Sequence, residues 1–174
     1  VERRRDDIVK AVVGESGAWF GKGMHEANAL IEIFRAAAGA AYGSIGEVLP
    51  SASGKMSIAT RRPMGVVTVI SPWNFPTLLS ARQFAFPLVA GNTIVLKPSE
   101  ETPYCGGLLF AEISDAVGLP AGVLNVVTCS RDNIGPIGDE LIENPAVKGV
   151  CFTGSTAVGR SVAAKAGAHL KKCC

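Results

Sequence analysis

The stretch "VVTVISPWNFP", Val66 to Pro76, decides the fold. Its first half, "VVTVI" (66–70), is a continuous apolar run and predicts a strand buried on both faces. Its second half brackets Trp73, Asn74 and Phe75 between Pro72 and Pro76. A stiff turn at the end of a buried strand implies that a polar group, Asn74, is being aimed. Downstream the same grammar repeats. "PTLLSARQFAFPLVAG" (76–91) predicts a helix, "TIVLK" (93–97) a strand, and "PYCGGLLFAEISDAVG" (103–118) a helix with Thr102 as N-cap and Gly118 as stop. "GVLNVV" (122–127) predicts a strand and "NIGPIGDELIEN" (133–144) a helix. "VKGVCF" (147–152) and "TAVGRSVAAKAG" (156–167) complete the fourth strand–helix unit, with the last helix ending at Gly167. Buried strands alternating with helices specify an α/β fold with a parallel, doubly wound sheet covered on both faces.

Upstream of Gly65 the pattern changes. Residues 2–13 and 22–46 predict helices; in the second, Met24, Ala27, Leu30, Ile31, Phe34, Ala38, Ala41, Tyr42 and Ile45 recur at spacings of three and four. The connector "GAWFGKG" has one residue too few between its glycines for a phosphate loop and lacks the following Ser or Thr. Turn residues flank a short alternating segment from Lys55 to Arg62, which predicts an exposed β arm that pairs outside the sheet domain. The organisation is therefore a helical segment (1–49), a β arm (50–64) and a sheet domain (65–174).

Composition excludes several classes. The chain has 174 residues, 48% hydrophobic and 18% charged, which suits a well-packed core. A net charge of +2 is too small to argue for a nucleic-acid or membrane partner, and neither is expected; the mixed run "ERRRDD" reads as a solvated helix face. No run reaches the ~18–20 apolar residues of a membrane span. Five cysteines without a C-x-x-C pair favour a reducing, cytoplasmic setting. His25 and His169 have no neighbours at metal-ligand spacing, so no metal site is expected. The absence of an initiator Met and the final "HLKKCC", where a further strand starts, predict a piece of a longer protein.

Parallel strands share a direction, so their polar termini meet at one edge, where doubly wound sheets bind ligands. Those termini are "SPWN", "KPSEE", "TCSRD" and "TGST". In "FTGSTAVG" (152–159) a strand runs through Gly154 and Ser155 into a helix whose free N–H groups and dipole suit a phosphate; the alternative is that Ser155 is only an N-cap. Lys97 and Glu100 can together hold vicinal hydroxyls, Lys donating and Glu accepting, and Glu100 disfavours a 2′-phosphate; the alternative is a solvated pair near a helix start. The Asn74 amide is either a neutral donor for charge developing on a substrate oxygen or a cap for the helix at 76–90. Position alone does not separate these.

Taken in order, "GVVTVISPWNFP", "AFPLVAGNTIVLKPSEETP", "LPAGVLNVV" and "FTGSTAVGR" resemble the aldehyde dehydrogenase superfamily over nearly the whole chain. The run from "GESGAWFGKGM" to "TCSRDN" is most similar to the benzaldehyde and vanillin dehydrogenase branch. The resemblance implies a Rossmann-like coenzyme-binding domain, here incomplete. It also implies NAD(P)-dependent oxidation of an aldehyde to an acid through a cysteine thiohemiacetal. The cofactor expected is NAD, with NADP as the alternative. Asn74 matches the catalytic oxyanion donor. Ile70, Ser71 and Trp73 match positions lining the cofactor cleft, and Lys97 and Glu100 the pair on the adenosine ribose. Ser155 matches the pyrophosphate contact, with Gly154 and Val158 beside the cofactor. Pro50–Arg62 resembles part of the oligomerisation arm, which implies a homodimer or homotetramer.

The family's activating Glu, in an E-L-G-G motif, and its nucleophilic Cys belong after Cys174, so these residues alone are expected to be inactive. Cys129 stands where most relatives have glycine. Cys105 and Cys151 are expected in the core, and Cys173 and Cys174 at the start of a strand. Competing readings are a non-catalytic nucleotide-binding module and an NADPH-using semialdehyde or acyl-phosphate reductase of the same superfamily.

Overall fold

The computed structural model describes residues 1–174. A 3-10 turn (Glu2–Arg4) leads into α1 (Arg5–Ser16). Gly17 ends α1 with φ 64°, a left-handed conformation that glycine adopts without strain. Helix α2 (Phe20–Ala40) follows after Ala18 and Trp19, so "GAWFGKG" is a helix–helix joint. Strands β1 (Gly46–Leu49) and β2 (Ser57–Thr60) then pair antiparallel, from Gly46 opposite Thr60 to Leu49 opposite Ser57.

Two expectations are corrected here. The helix predicted to reach residue 46 stops at Ala40. Tyr42 and Ile45 continue its apolar period but are 94% and 77% exposed, because the turn at Ala41–Tyr42 and the bend at Gly43 take the chain off the helix axis. The β arm gains its first strand from Gly46–Leu49 and is a hairpin paired with itself.

The sheet begins with β3 (Val66–Ile70). After it come α3 (Pro76–Val89), β4 (Thr93–Lys97), a π turn (Tyr104–Leu108) running into α4 (Leu109–Ala116), β5 (Leu124–Val126), α5 (Ile134–Glu143), β6 (Val147–Phe152), α6 (Thr156–Ala168) and β7 (Lys172–Cys173). All five strands are parallel, in the order β5-β4-β3-β6-β7. The further strand expected to start at "HLKKCC" is β7, two residues paired with β6. Strand β5 is shorter than predicted because it has a single neighbour, β4. Helix α6 runs one residue past Gly167.

Helices cover both faces. On one, Val67 and Val69 of β3 and Ile94 and Leu96 of β4 join Ile8, Val12, Ala27, Leu30, Phe84, Leu109 and Phe110 in one core of 15 buried residues. Helices α1 and α2 thus share the sheet's core. On the other face Val147 and Val150 of β6 pack with Ile142, Val162 and Ala166. Thr68 points to that side, its hydroxyl donating to the Leu141 carbonyl at 2.8 Å. The period of two along β3 and the reversal of strand order account for the two faces together.

The helix start after β4 is capped from a distance. Thr102, the predicted N-cap, caps nothing, and its buried Oγ1 has no partner. The N–H groups it would have served, of Tyr104 and Cys105, donate instead to the two oxygens of Glu15 in α1 (2.8 and 2.6 Å). The π turn so anchored presses Gly107 against the β4 tip: a Cβ there would lie 2.6 Å from Pro98 Cγ and 2.9 Å from Val126 Cγ1. An exposed helical Gly→Ala change gains ~1 kcal/mol from propensity. Here overpacking costs about 1–3 kcal/mol. Gly107→Ala is therefore expected to destabilise, and urea unfolding that showed a net gain would contradict the close packing.

Candidate functional site

Register brings the strand tips together. Ile70 lies opposite Lys97 on one side and Phe152 on the other, and Leu96 lies opposite Val126. The four tips therefore leave one edge of the sheet. Neighbouring strands are ~4.8 Å apart, which puts the β4 and β6 tips roughly 10 Å apart with the β3 tip between them. From β3 the chain steps one way through β4 to β5, then returns to place β6 on β3's other side. Such a reversal opens a crevice at the carboxyl ends of the two strands that flank it. The β3 tip carries Asn74 and the β6 tip carries Gly154 and Ser155, so these residues follow the two strands that flank the reversal.

The capping alternative for Asn74 does not hold. No side chain of the α3 N-cap residue bonds the helix start. Glu26 of α2, 0% exposed, does so from across the core: its Oε2 accepts from the N–H groups of Thr77 (3.1 Å) and Leu78 (3.2 Å) and from the Thr77 hydroxyl (2.7 Å). Lys22 balances that charge at 2.5 Å and lies 4.9 Å over the Phe75 ring. His25 meets the same ring edge-on at 6.5 Å. Phe75 is thus held from two sides, which fixes the turn and leaves the exposed Asn74 amide at its outer point. Gln83 of α3 ties the next tip in. It meets Thr153 Oγ1, and with its oxygen turned toward β6 it accepts from the Thr153 N–H (3.1 Å) while its NH2 donates to the Ile70 carbonyl (3.3 Å).

The other candidate residues divide by where their side chains go. Trp73 is exposed at the rim, and Ile70 is half-buried against the α5–α6 face. The Ser71 side chain turns inward: its hydroxyl is 2.6 Å from that of Ser80, which donates to the Gly106 carbonyl. Only the Ser71 backbone is left to border a cleft. Lys97 is 4% exposed and donates to the Pro98 carbonyl at 3.1 Å. Glu100 does not close an ion pair with it but with Arg131 on the β5 tip, at 3.4 Å; Arg131 also holds Glu101 at 2.6 Å. Burial pushes the Glu100 carboxyl up, yet its own backbone N–H, the Lys97 charge and Arg131 together outweigh that and hold it below the usual carboxylate range. It is an anion at neutral pH.

At the fourth tip Ser155 does cap α6, accepting from the Val158 N–H at a long 3.4 Å. The first-turn N–H groups that a helix leaves without internal partners are here on exposed residues, Thr156 to Val158. Gly154 makes room for Phe152, whose ring would lie 2.5 Å from a Cβ added there. A groove of about 390 Å³ runs beside the β4 and β5 tips between Trp73, Glu15, Ser16, Glu101, Thr102 and Arg131.

Three residues of this arrangement escaped the sequence reading. Arg131 had a signal, a lone guanidinium at a strand tip facing the paired acids of another. Gln83 and Glu26 had none, since each is a polar residue inside an amphipathic helix. Cys105 and Cys151 are buried, as expected, and burial first, then neighbouring groups, push both thiols up. Cys129 is half-buried on the β5 tip. No group of three or more His, Cys, Asp and Glu could hold a metal ion, and no helix is long and apolar enough to cross a membrane.

The aldehyde dehydrogenase family model matches residues 1–174. The chain is 42% identical over 173 residues to benzaldehyde dehydrogenase YfmT of Bacillus subtilis (strain 168), covering 99% of this chain and 35% of that protein. It is 44% identical over 162 residues to a vanillin dehydrogenase of an Amycolatopsis species, covering 92% and 32%. Its structure superimposes on the crystal structure of an NAD-dependent benzaldehyde dehydrogenase from Corynebacterium glutamicum with a TM-score of 0.92 and 37% identity, over 99% of this chain and 36% of that one. The chain spans about a third of the length of these relatives.

Proposed function

Because the chain belongs to the aldehyde dehydrogenase family, we propose that its crevice holds NAD and that Asn74 is the oxyanion donor of an aldehyde-oxidising site. The whole protein, in this reading, oxidises an aromatic aldehyde to the acid through a cysteine thiohemiacetal. The nucleophile and the water-activating Glu are supplied from outside these residues. The observation that carries the reading is the reversal of strand order between β3 and β6, with an uncapping Asn74 on one side and a helix start on the other.

The residues present fit the cofactor. The exposed first turn of α6 offers N–H groups and a helix dipole to a pyrophosphate. Lys97 has one protein acceptor and keeps donors for a ribose hydroxyl, while the anionic Glu100 accepts from one. Trp73, Ile70 and Val158 give apolar walls, and Ser71 and Gly154 contribute backbone. NAD, when bound, supplies the acceptor for the hydride. Asn74 presents a neutral N–H donor, fixed before reaction, where charge appears on the aldehyde oxygen. The exposed apolar residues of the β1–β2 hairpin, Val48, Met56 and Ile58 among them, support assembly of the whole protein as a homodimer or homotetramer. Five free thiols support a reducing cytoplasm.

Arg131 beside Glu100 favours a second reading, in which NADP is accepted. Calorimetry with both dinucleotides separates the two. NAD is expected to bind more tightly, and Glu100→Gln to shrink that preference by about tenfold, or ~1.4 kcal/mol. Tighter binding of NADP by the unmodified protein would remove Glu100 from the role given to it. The 174 residues alone, given NAD and benzaldehyde, are expected to form no NADH.

A further inference from the structure

Strand β7 brings a second cysteine against Cys151. Val150 lies opposite Cys173. The Cys174 N–H donates to the Val150 carbonyl at 3.0 Å, and the Phe152 N–H donates to the Cys174 carbonyl at 2.9 Å. Those two bonds bracket Cys151, so Cys174 is its direct neighbour across the strand pair. Their sulfurs are 3.1 Å apart. Both line one open groove of about 190 Å³, together with Met64, Pro87 and Lys172. Cys151 is 9% exposed and lines the groove beside Cys174. Adjacent strands hold Cα atoms ~4.8 Å apart, inside the ~4.4–6.8 Å range that a disulfide spans. Cys173, on the alternate side of β7, is directed away from Cys151.

We propose that Cys151 and Cys174 are a redox modification site, a dithiol that a hydroperoxide converts to an intramolecular disulfide. Cys174 reacts first, because burial raises the Cys151 thiol. Its sulfur attacks the peroxide, the O–O bond breaks, one oxygen passes to sulfur as a sulfenic acid and the other leaves as alcohol or water. The Cys151 sulfur then displaces that oxygen. An S–S bond forms, the S–O bond breaks, and water leaves with the Cys151 proton. Two thiols lose two electrons, and the peroxide gains them. The burial that raises the Cys151 thiol keeps it protonated at rest, which suits a resolving rather than an attacking sulfur. The bond would join β6 to β7 around α6, directly beneath the tip that carries Gly154 and Ser155.

The test treats the reduced whole protein with one equivalent of hydrogen peroxide. The expected product is lighter by about 2 Da, recovers its mass with dithiothreitol, and yields a proteolytic fragment linking Cys151 to Cys174. Cys174→Ser and Cys151→Ser are expected to abolish the loss, and Cys129→Ser and Cys173→Ser to keep it. Cys151 belongs to the core, so Cys174→Ser is the informative variant if Cys151→Ser misfolds. Gains of about 16 Da per oxygen without a linkage, a linkage through Cys173 or Cys129, or a mass loss that persists in Cys174→Ser would each overturn the proposal.

Discussion

Glu26→Ala is expected to destabilise the protein by about 3–5 kcal/mol, the cost of leaving buried charged or hydrogen-bonded partners without their mate. The carboxylate takes three donors at the start of α3, two of them backbone N–H groups with no other acceptor, and is itself paired to Lys22. Alanine removes the acceptor and leaves a hole in a region without solvent. Glu26→Gln keeps one oxygen but turns an N–H2 toward Lys22 or the helix start, so an intermediate loss is expected. Lys22→Met leaves the fully buried Glu26 carboxylate with its three hydrogen-bond donors but without its counter-ion, so a loss comparable to that of Glu26→Gln is expected. Chemical denaturation of the three variants gives the order. A loss under about 1 kcal/mol for Glu26→Ala would place this cap with surface ion pairs and end the account given of it.

Asn74→Ala is expected to behave in the opposite way. On the proposed reading of Asn74 as oxyanion donor, turnover of the whole protein should fall by roughly 10²–10³, the usual cost of one such donor. KM should change little, because the contact strengthens only as charge develops. Folding stability should move by no more than about 0.5 kcal/mol, since the side chain is exposed and caps nothing. The pair of measurements is what discriminates. A stability loss near 1 kcal/mol with nearly intact turnover would restore the capping role that Glu26 now fills. Read together, the two variants separate what holds the turn from what the turn presents.

Local pattern carried the sheet domain well. The run at 66–70 and the segments at 93–97 and 147–152 match their strands residue for residue, because an uninterrupted apolar run bounded by turn residues has few other uses. The meeting of the four tips also followed, since parallel strands leave no choice of edge. Periodicity misled at Tyr42 and Ile45, where an apolar spacing of three and four outlived the helix that it belongs to. Thr102 misled differently: its residue type and position suit an N-cap, but Glu15, 89 residues from Tyr104 in sequence, takes the helix start. Ser71 was legible as a neighbour of the crevice and not as a side chain turned away from it. Contacts between distant segments have no local signature, and Glu26, Glu15 and Gln83 all act at such distances.

The acceptors for the helices after β3 and β4 come from α2 and α1, ahead of the hairpin. The polypeptide on either side of Gly65 must therefore be inherited as a matched set. A chimaera joining the opening helices of one relative to the sheet of another brings together carboxylates and amides never selected as mates, even when every residue around the ligand crevice is kept.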